Sequence, residues 1–435
     1  MSQDDLIIED GDGASVLADL NSAFAALATN SKGTSRPSGC QAGQFWIDSD
    51  TPSSTTWSLY VYDGTHDIKL GELDSTGGNF TPFAAGASIV AGGTTNTSST
   101  ALATMSNVQA SMLGGFINKF RNPAMDIWQR STSGSVTAGS PAYTADGWIV
   151  GCTGANVTWA QVAGRNLTAF ALKITGAASV SDALVKQRIE SSLAFALAGQ
   201  RVTVQAKIYN NTGGSITPTI TVKHATATDN WTSTATDVSA VNLQACPNTT
   251  LTTVAYSFDA SASSGNGLEI TIDFGNNFTT SGKSVEVSEL DIRITPGVST
   301  GTNSSPPVPE LRYIAIEMPL NQRYFYKTYP QATAPGTSVG TDSAGAFQFR
   351  LSGNTSAAHA IRYTVPYAKP MRATPTVTFY STDGTSGVIR DRTAASNLTP
   401  NATQCSGDRG CVLDCTSGST ADPFIEGHLT ASAEL

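Results

Sequence analysis

Charge is scarce in this chain. Asp, Glu, Lys and Arg make up 14% of its 435 residues, well under the roughly 25% usual in soluble domains. Disorder does not follow, because disorder needs low hydrophobicity together with high net charge, and 40% of the residues are apolar. Positive charge is the scarcer sign, with 25 Lys and Arg against 34 Asp and Glu, a formal net charge of −9. That balance excludes nucleic acid as the main partner, since phosphate binding needs clustered Lys and Arg. Long apolar runs are missing too, and none approaches the ~20 residues of a membrane-spanning helix. The start, "MSQDDLIIEDGDG", is acidic and lacks both a basic stretch and an apolar core. No secretory signal is visible in it, and synthesis in a cytoplasm without a secretory route is expected.

Chemistry-bearing residues are equally sparse. The four histidines (His66, His224, His359, His428) lie far apart, and no G-x-S-x-G or H-E-x-x-H run occurs. Six cysteines (Cys40, Cys152, Cys246, Cys405, Cys411, Cys415) include no C-x-x-C, and the last three are separated by five and three residues. That is a poor zinc pattern. Free or packing thiols are expected, with a disulfide among Cys405, Cys411 and Cys415 as the exception. No metal or other cofactor is implied, and no spacing resembles a calcium-binding EF-hand loop.

Ser, Thr, Gly and Asn stand where the charges would be. Threonine favours strands, and Gly, Asn and Ser favour the turns between them, so the composition points to a mainly β protein. A chain of this length suggests two to four domains. Residues 1–74 read as a helix followed by a small meander. Val16, Leu17, Leu20, Phe24 and Leu27 recur at helical spacing. That stripe suits packing on its own domain or on copies of itself in a parallel bundle. Strands are expected at 44–48, 57–63 and 66–70. Residues 75–117, rich in Gly, Ser, Thr and Ala, read as a flexible linker in a monomer. In an oligomer they read as a stalk lined by Ile89, Val90, Leu102, Met105, Val108 and Met112.

Residues 118–299 carry about nine candidate strands, the size of a two-sheet jelly roll. They fall at 142–150, 157–162, 170–174, 185–189, 200–210, 216–224, 252–259, 268–274 and 284–294. "RVTVQAKIYN" and "VEVSELDIRIT" alternate apolar and polar residues as half-buried antiparallel strands do. A connector at 300–339 holds the run "NQRYFYKTYP", and residues 340–435 read as a second, smaller β-sandwich.

Four runs are similar to ones that recur in bacteriophage tail-fibre and receptor-binding proteins with a jelly roll like those of carbohydrate-binding modules. They are Asn122–Arg130 ("NPAMDIWQR"), Tyr143–Trp148 ("YTADGW"), Asn321–Phe325 ("NQRYF") and Ala433–Leu435 ("AEL"). The stretch "GQFWIDSDTPSSTTWSLYVYDGTHDIKLGEL" also resembles a short attachment module of such fibres. It departs at His66 and Asp67, where that module usually has tryptophan. The resemblance implies a homotrimeric virion fibre on the tail or capsid. Its N-terminal module would meet tail, adaptor or portal-region proteins, and its β domains would meet a glycan of the host cell surface.

Trp128 and Trp148 read as core or inter-subunit packing, because each sits in a run with alternating neighbours and an indole buries a large apolar area. Asp126 and Arg130 are expected to pair locally or to bind turns, and Asp146 to serve a turn. Sugar binding needs an exposed aromatic beside Asn, Asp or Gln. Trp231, in the polar stretch "TATDNWTSTATD" with Asp229 and Asn230 beside it, is the first candidate for carbohydrate binding; Trp159 and Tyr209 follow. A loop tryptophan equally suits a plug at the end of the sandwich or a trimer seam. Asp259, Glu269, Asp273, Glu286, Glu289 and Asp291 leave open a facing carboxylate pair of the glycosidase kind, although charged residues alternating on strands are ordinarily a solvated face. "NQRYFYKTYP", with Arg323 and Lys327 among four aromatics, suits a joint between domains or an anionic sugar. A non-enzymatic fibre is the leading expectation. A capsid fibre or adaptor of purely structural role and a capsule-degrading glycosidase are the alternatives.

Overall fold

The structure, a computed structural model, describes residues 6–82, 89–91, 94–96, 116–278, 282–352, 359–401, 406–419 and 421–435. It is mainly β, as expected, and divides into two compact units, Met1–Val108 and Gln109–Leu435.

In the first unit a helix spans Gly13–Ala28. It starts where the Asp12 carboxylate accepts the Ser15 backbone N–H at 2.8 Å, satisfying a donor that a helix N-terminus leaves open. The side chains it buries are small, Ala23 and Ala26. Leu17, Leu20, Phe24 and Leu27 stay 36–59% exposed, so the apolar stripe faces away from the unit's own packing. Strands Phe45–Ser53, Thr56–Tyr62 and Asp67–Asp74 form the expected meander. A fourth, Phe80–Pro82, extends it into residues assigned to the linker, and a two-stranded hairpin pairs Ile89–Ala91 with Thr94–Asn96. Trp46 is buried, stacked on Tyr60 at 4.8 Å, and its indole N–H donates to Asp67 at 3.0 Å. Asp67 is one of the two departures from the attachment-module pattern, and here it serves as a hydrogen-bond partner for Trp46. Of the suggested stalk residues, Leu102, Met105, Val108 and Met112 lie outside the described residues.

The second unit contains a sandwich of two antiparallel sheets. One runs Gly301–Thr302, Leu251–Asp259, Arg201–Asn211, Ser284–Ile294, Phe170–Thr175, Val157–Ala163, Ser133–Val136. The other runs Asn230–Asn242, Thr219–Ala227, Leu268–Asp273, Asp182–Ile189, Ile149–Thr153, Ala142–Tyr143. Alternation sets the core. Val202, Val204, Ala206 and Ile208 from one sheet and Ala183, Val185 and Ile189 from the other are buried between them. The single strand expected at 142–150 is two strands, broken by a turn at Asp146 and Gly147, where Gly147 holds a φ of +81° that other residues rarely adopt. Asn230–Asn242 was expected as loop. It is an edge strand with Val238 alone buried, held by β-branched threonines that carry no apolar period.

A smaller β domain centres on Phe424–Ser432, which pairs with Phe325–Lys327, Phe347–Arg350, Thr376–Tyr380 and Ile389–Asp391. Its buried Gly427 leaves room that a side chain would take from the Tyr380 carbonyl and the Phe347 ring. A separate ladder joins His359–Pro366 to Gly410–Ser417. The connector is more than a spacer, because it supplies the sandwich edge Gly301–Thr302, a helix at Ile314–Gln322 and the strand Phe325–Lys327. Cys411 and Cys415 are free, buried thiols, and Cys405 lies outside the described residues.

Two titratable groups, half-buried Asp182 and buried His428, tie stability to pH. Asp182 stands diagonally across from Asp273 on the neighbouring strand. Burial first, and then its hydrogen bond to Asp273, push its pKa up to about 7. A carboxyl held protonated by the fold stabilises most at low pH and loses that contribution as pH rises from its ordinary value of 3.8 up to about 7. Asp182→Asn is therefore expected to raise the thermal midpoint most at pH 8, less at pH 5, and to leave it nearly unchanged below the ordinary aspartate pKa of 3.8, by calorimetry. His428 behaves oppositely. It is stacked on Tyr329 at 3.9 Å, and burial pulls its pKa down to about 4. It stays neutral in the fold, so stability falls as pH drops below about 6.5 toward 4; His428→Asn should shallow that acid limb in an unfolding titration.

Candidate functional site

All four of the runs that resemble phage fibres meet in one seam between the sandwich and the C-terminal β domain. Asn122 is its pivot. Left-handed at φ +50°, it donates from its side chain to the carbonyls of Ile127 and Asp146 and accepts the Ile127 N–H. Its own carbonyl takes the Trp148 indole N–H at 3.0 Å. Its backbone N–H donates to Glu317 at 2.6 Å, tying the first run to the helix Ile314–Gln322. Gln129 bridges the two domains, with its amide donating to both the Asp146 carboxylate and the Phe325 carbonyl. Trp128 and Trp148 are buried, Trp128 stacked on Trp159 at 5.9 Å and Trp148 against Phe120 at 5.0 Å. Both tryptophans are packing residues.

Glu434 closes the seam. Its two oxygens lie 3.3 Å from the Arg121 guanidinium and 3.0 Å from that of Arg130. Arg121 stacks 3.5 Å from the Tyr324 ring centroid and Arg130 3.8 Å from that of Phe325. Arg372 donates to the carbonyls of Ala433 and Glu434, and the Leu435 carbonyl accepts from Tyr143 and Arg188. Glu190 accepts from Arg323 and from the Tyr324 hydroxyl at 2.6 Å. Burial alone would raise the Glu190 pKa, and these two partners outweigh it and hold it low. "NQRYFYKTYP" is thus a joint. Lys327 in it is buried, donates to the carbonyls of Gln331 and Thr333, and is pulled down to about 8 by that burial. Asp126 does not pair with Arg130. One of its oxygens is buried without a partner, and burial followed by nearby Glu317 raises its pKa.

The expected sugar-binding residues are dispersed. Trp159 lies in the core, which removes it as an exposed platform. Trp231 is half-buried at the start of the edge strand, with the Arg188 guanidinium 4.9 Å from its ring centroid and its indole N–H buried without a partner. Asp229 accepts from the Ser191 N–H and hydroxyl and sits 3.7 Å from Arg372. Asn230 is exposed and caps the turn by accepting from Thr232. Tyr209 stands apart, on the outer face of the other sheet. Arg165 lies 3.4 Å from its ring centroid and grips Glu286 with two hydrogen bonds.

The carboxylates that left a glycosidase pair open are each engaged. Asp259 pairs with Arg201, Glu269 with Lys186 and Arg188, Glu286 with Arg165, and Asp291 with Arg293. Glu289 accepts from Asn166 and the Leu167 N–H, and Asp273 neighbours Asp182. His224, Asp237 and Ser264 carry the residue types of a hydrolase triad in another order. The serine donates to one oxygen of the aspartate at 2.7 Å while the imidazole meets the other, so the serine–histidine contact of a triad is not made.

One sizeable cavity opens along the seam, about 460 Å³, within the range of small-molecule sites. Phe116, Leu193 and Leu320 give it apolar walls, and Lys119, Arg121, Arg312 and Arg323 give it cations.

No family model matches the chain, and no curated protein matches it. Among solved structures, part of the chain is similar to the CBM22-1 xylan-binding domain from Paenibacillus barcinonensis Xyn10C. That match has 13% identity, covers 38% of this chain and 99% of that one, and has a TM-score of 0.26. The Clostridium thermocellum xylanase Xyn10B CBM22-1–GH10 modules match at 12% identity over 34% of this chain, TM-score 0.26. The enzymatically active domain of bacteriophage CBA120 tailspike protein 4 matches at 10% over 41%, also 0.26. The chain covers 26% and 22% of the length of those last two. At these identities and scores the matches assign no activity to it.

Sequence reasoning missed Arg121, Glu190 and Glu434 as a connected set. The only signal was the closing "AEL" run. Glu434→Ala leaves Arg121, almost fully buried, without its carboxylate. A loss of about 3 kcal/mol in unfolding free energy is expected, measured by denaturant titration with Arg36→Ala, an exposed pair in the first unit, as the near-neutral comparison.

Proposed function

We propose that the chain is the subunit of a non-enzymatic bacteriophage fibre, a parallel homotrimer that attaches to the virion through its N-terminal unit and recognises host-surface glycan through its β domains. It would be made in the host cytoplasm and carried on the tail or capsid. The observation that carries this reading is the helix Gly13–Ala28. Leu17, Leu20, Phe24 and Leu27 follow three-four-three spacing, the seam of a coiled coil, and all four are exposed while the alanines behind them are buried. Copies of the same helix cover such a stripe. Two heptads are too short to hold alone, so the meander and the downstream domains share the assembly. Three linked copies then turn weak glycan contacts into avid ones. The engaged carboxylates support a binding role over a hydrolytic one, and the sandwich and seam supply a rigid frame for it.

A second reading, a capsid fibre or adaptor with a purely structural role, is favoured by one set of contacts. Trp159, Asp229 and Tyr209 each have a structural partner in the fold. Two measurements decide. Light scattering at micromolar concentration should give three times the mass of the 45.1 kDa chain, and Leu20→Glu with Phe24→Glu should lower that mass while the β signal in circular dichroism persists. A wild-type monomer contradicts the fibre. Loss of host adsorption by particles lacking residues 116–435 supports the receptor role, and unchanged adsorption favours the structural reading.

A further inference from the structure

The cavity at the seam is more specific than a general glycan surface. Its cations outnumber its anions, four to one in the lining, in a chain whose net charge is −9. Three of the four are already matched. Arg121 is held by Glu434, Arg312 by Glu317 and Arg323 by Glu190. Lys119 forms no ion pair among the described residues, and its ammonium donates to the Phe116 carbonyl at 2.7 Å, leaving two of its three N–H groups free. Burial, ahead of the opposing influence of Glu310, lowers its pKa, and an anion placed beside it would oppose that shift. Arg323 keeps part of its guanidinium exposed after binding Glu190. Phe116 and Leu193 line the same cavity and are 40% and 37% exposed. Ser192, also exposed, adds a hydroxyl with no partner among the described residues.

An aromatic wall, an aliphatic wall, an unmatched ammonium and a free hydroxyl within about 460 Å³ suit a ring that is apolar on one face and anionic at its edge. Sugars stack their C–H faces on aromatic rings, and a carboxylate takes charge-assisted hydrogen bonds from ammonium and guanidinium groups. We propose that this cavity is a subsite for an acidic sugar residue, a pyranose bearing a carboxylate. The inference rests on the glycan-binding reading above. Lys119 receives the carboxylate, with Arg323 as second donor, and Phe116 supports the ring.

The test uses the full chain and three small probes: methyl β-glucuronide, its neutral twin methyl β-glucoside, and glucose 6-phosphate, with saturation-transfer NMR and calorimetry as readouts. The glucuronide is expected to bind at least tenfold tighter than the glucoside. Lys119→Gln should weaken it about tenfold, and raised salt should weaken it in wild type. Ser192→Glu, at an exposed rim position that leaves folding intact, should also weaken it, whereas Lys173→Gln on the outer sheet face should not. Equal binding of the glucoside, equal binding of the phosphate, or glucuronide binding untouched by both Lys119→Gln and Ser192→Glu overturns the assignment. Host polysaccharide separates this from the broader reading. If the polysaccharide binds and both cavity variants bind it as wild type does, the cavity assignment falls and glycan binding stands. If neither polysaccharide nor any probe binds, both fall.

Discussion

A single carboxylate between two guanidiniums holds the larger unit together. Glu434 reaches Arg121 and Arg130 across 313 and 304 residues of chain. In a protein with so little charge, three ionised groups in a nearly dry seam are a demanding arrangement. Their desolvation is offset only when geometry is good and the remaining donors are satisfied. Stacked rings cover the faces of both guanidiniums, Tyr324 under Arg121 and Phe325 under Arg130, while the Nη1 of each arginine is buried without a hydrogen-bond partner. Asn122 and Gln129 then lock the backbone around them. Because the partners come from both domains, the sandwich and the C-terminal β domain are positioned by the same few atoms.

The cavity depends on that positioning. Its walls are drawn from the start of the sandwich, the turn after Asp182–Ile189 and the helix Ile314–Gln322. None of these segments encloses a volume by itself. The exposed stripe on the first helix answers a different need in the proposed fibre, the joining of copies. In the proposed fibre, one feature would build the body that carries the sites and the other would repeat it, which is what avid capture by weak sites requires. The aromatics first suspected of sugar contact are taken up elsewhere: Trp159 in the core, Tyr209 beneath Arg165, Trp231 beside Arg188.

Much of the fold was legible from residue patterns. Each of the nine candidate sandwich strands has a counterpart, because half-buried strands alternate and their Val and Ile residues mark the inner face. Asn230–Asn242 was not legible, since an edge strand of Thr and Ser buries little and leaves no apolar period. Ala142–Val150 was read as one strand because the Asp-Gly turn sits inside an apolar run. The packing role of Trp128 and Trp148 was legible from their neighbours. The seam and its cavity were not, because a pair such as Arg121 and Glu434 leaves no local pattern in one sequence. Arg323 and Tyr324 could be placed near a joint, but their partners could not be named.

Native-state hydrogen exchange by mass spectrometry on the full chain tests the central claim, that the seam makes the two β domains one cooperative body. The amides of Ser284–Ile294 and Phe424–Ser432 are expected to exchange through a common opening of equal free energy, and Glu434→Ala should lower both together. Exchange of Phe424–Ser432 through a cheaper opening of its own in the wild type, with Ser284–Ile294 still protected, would contradict it.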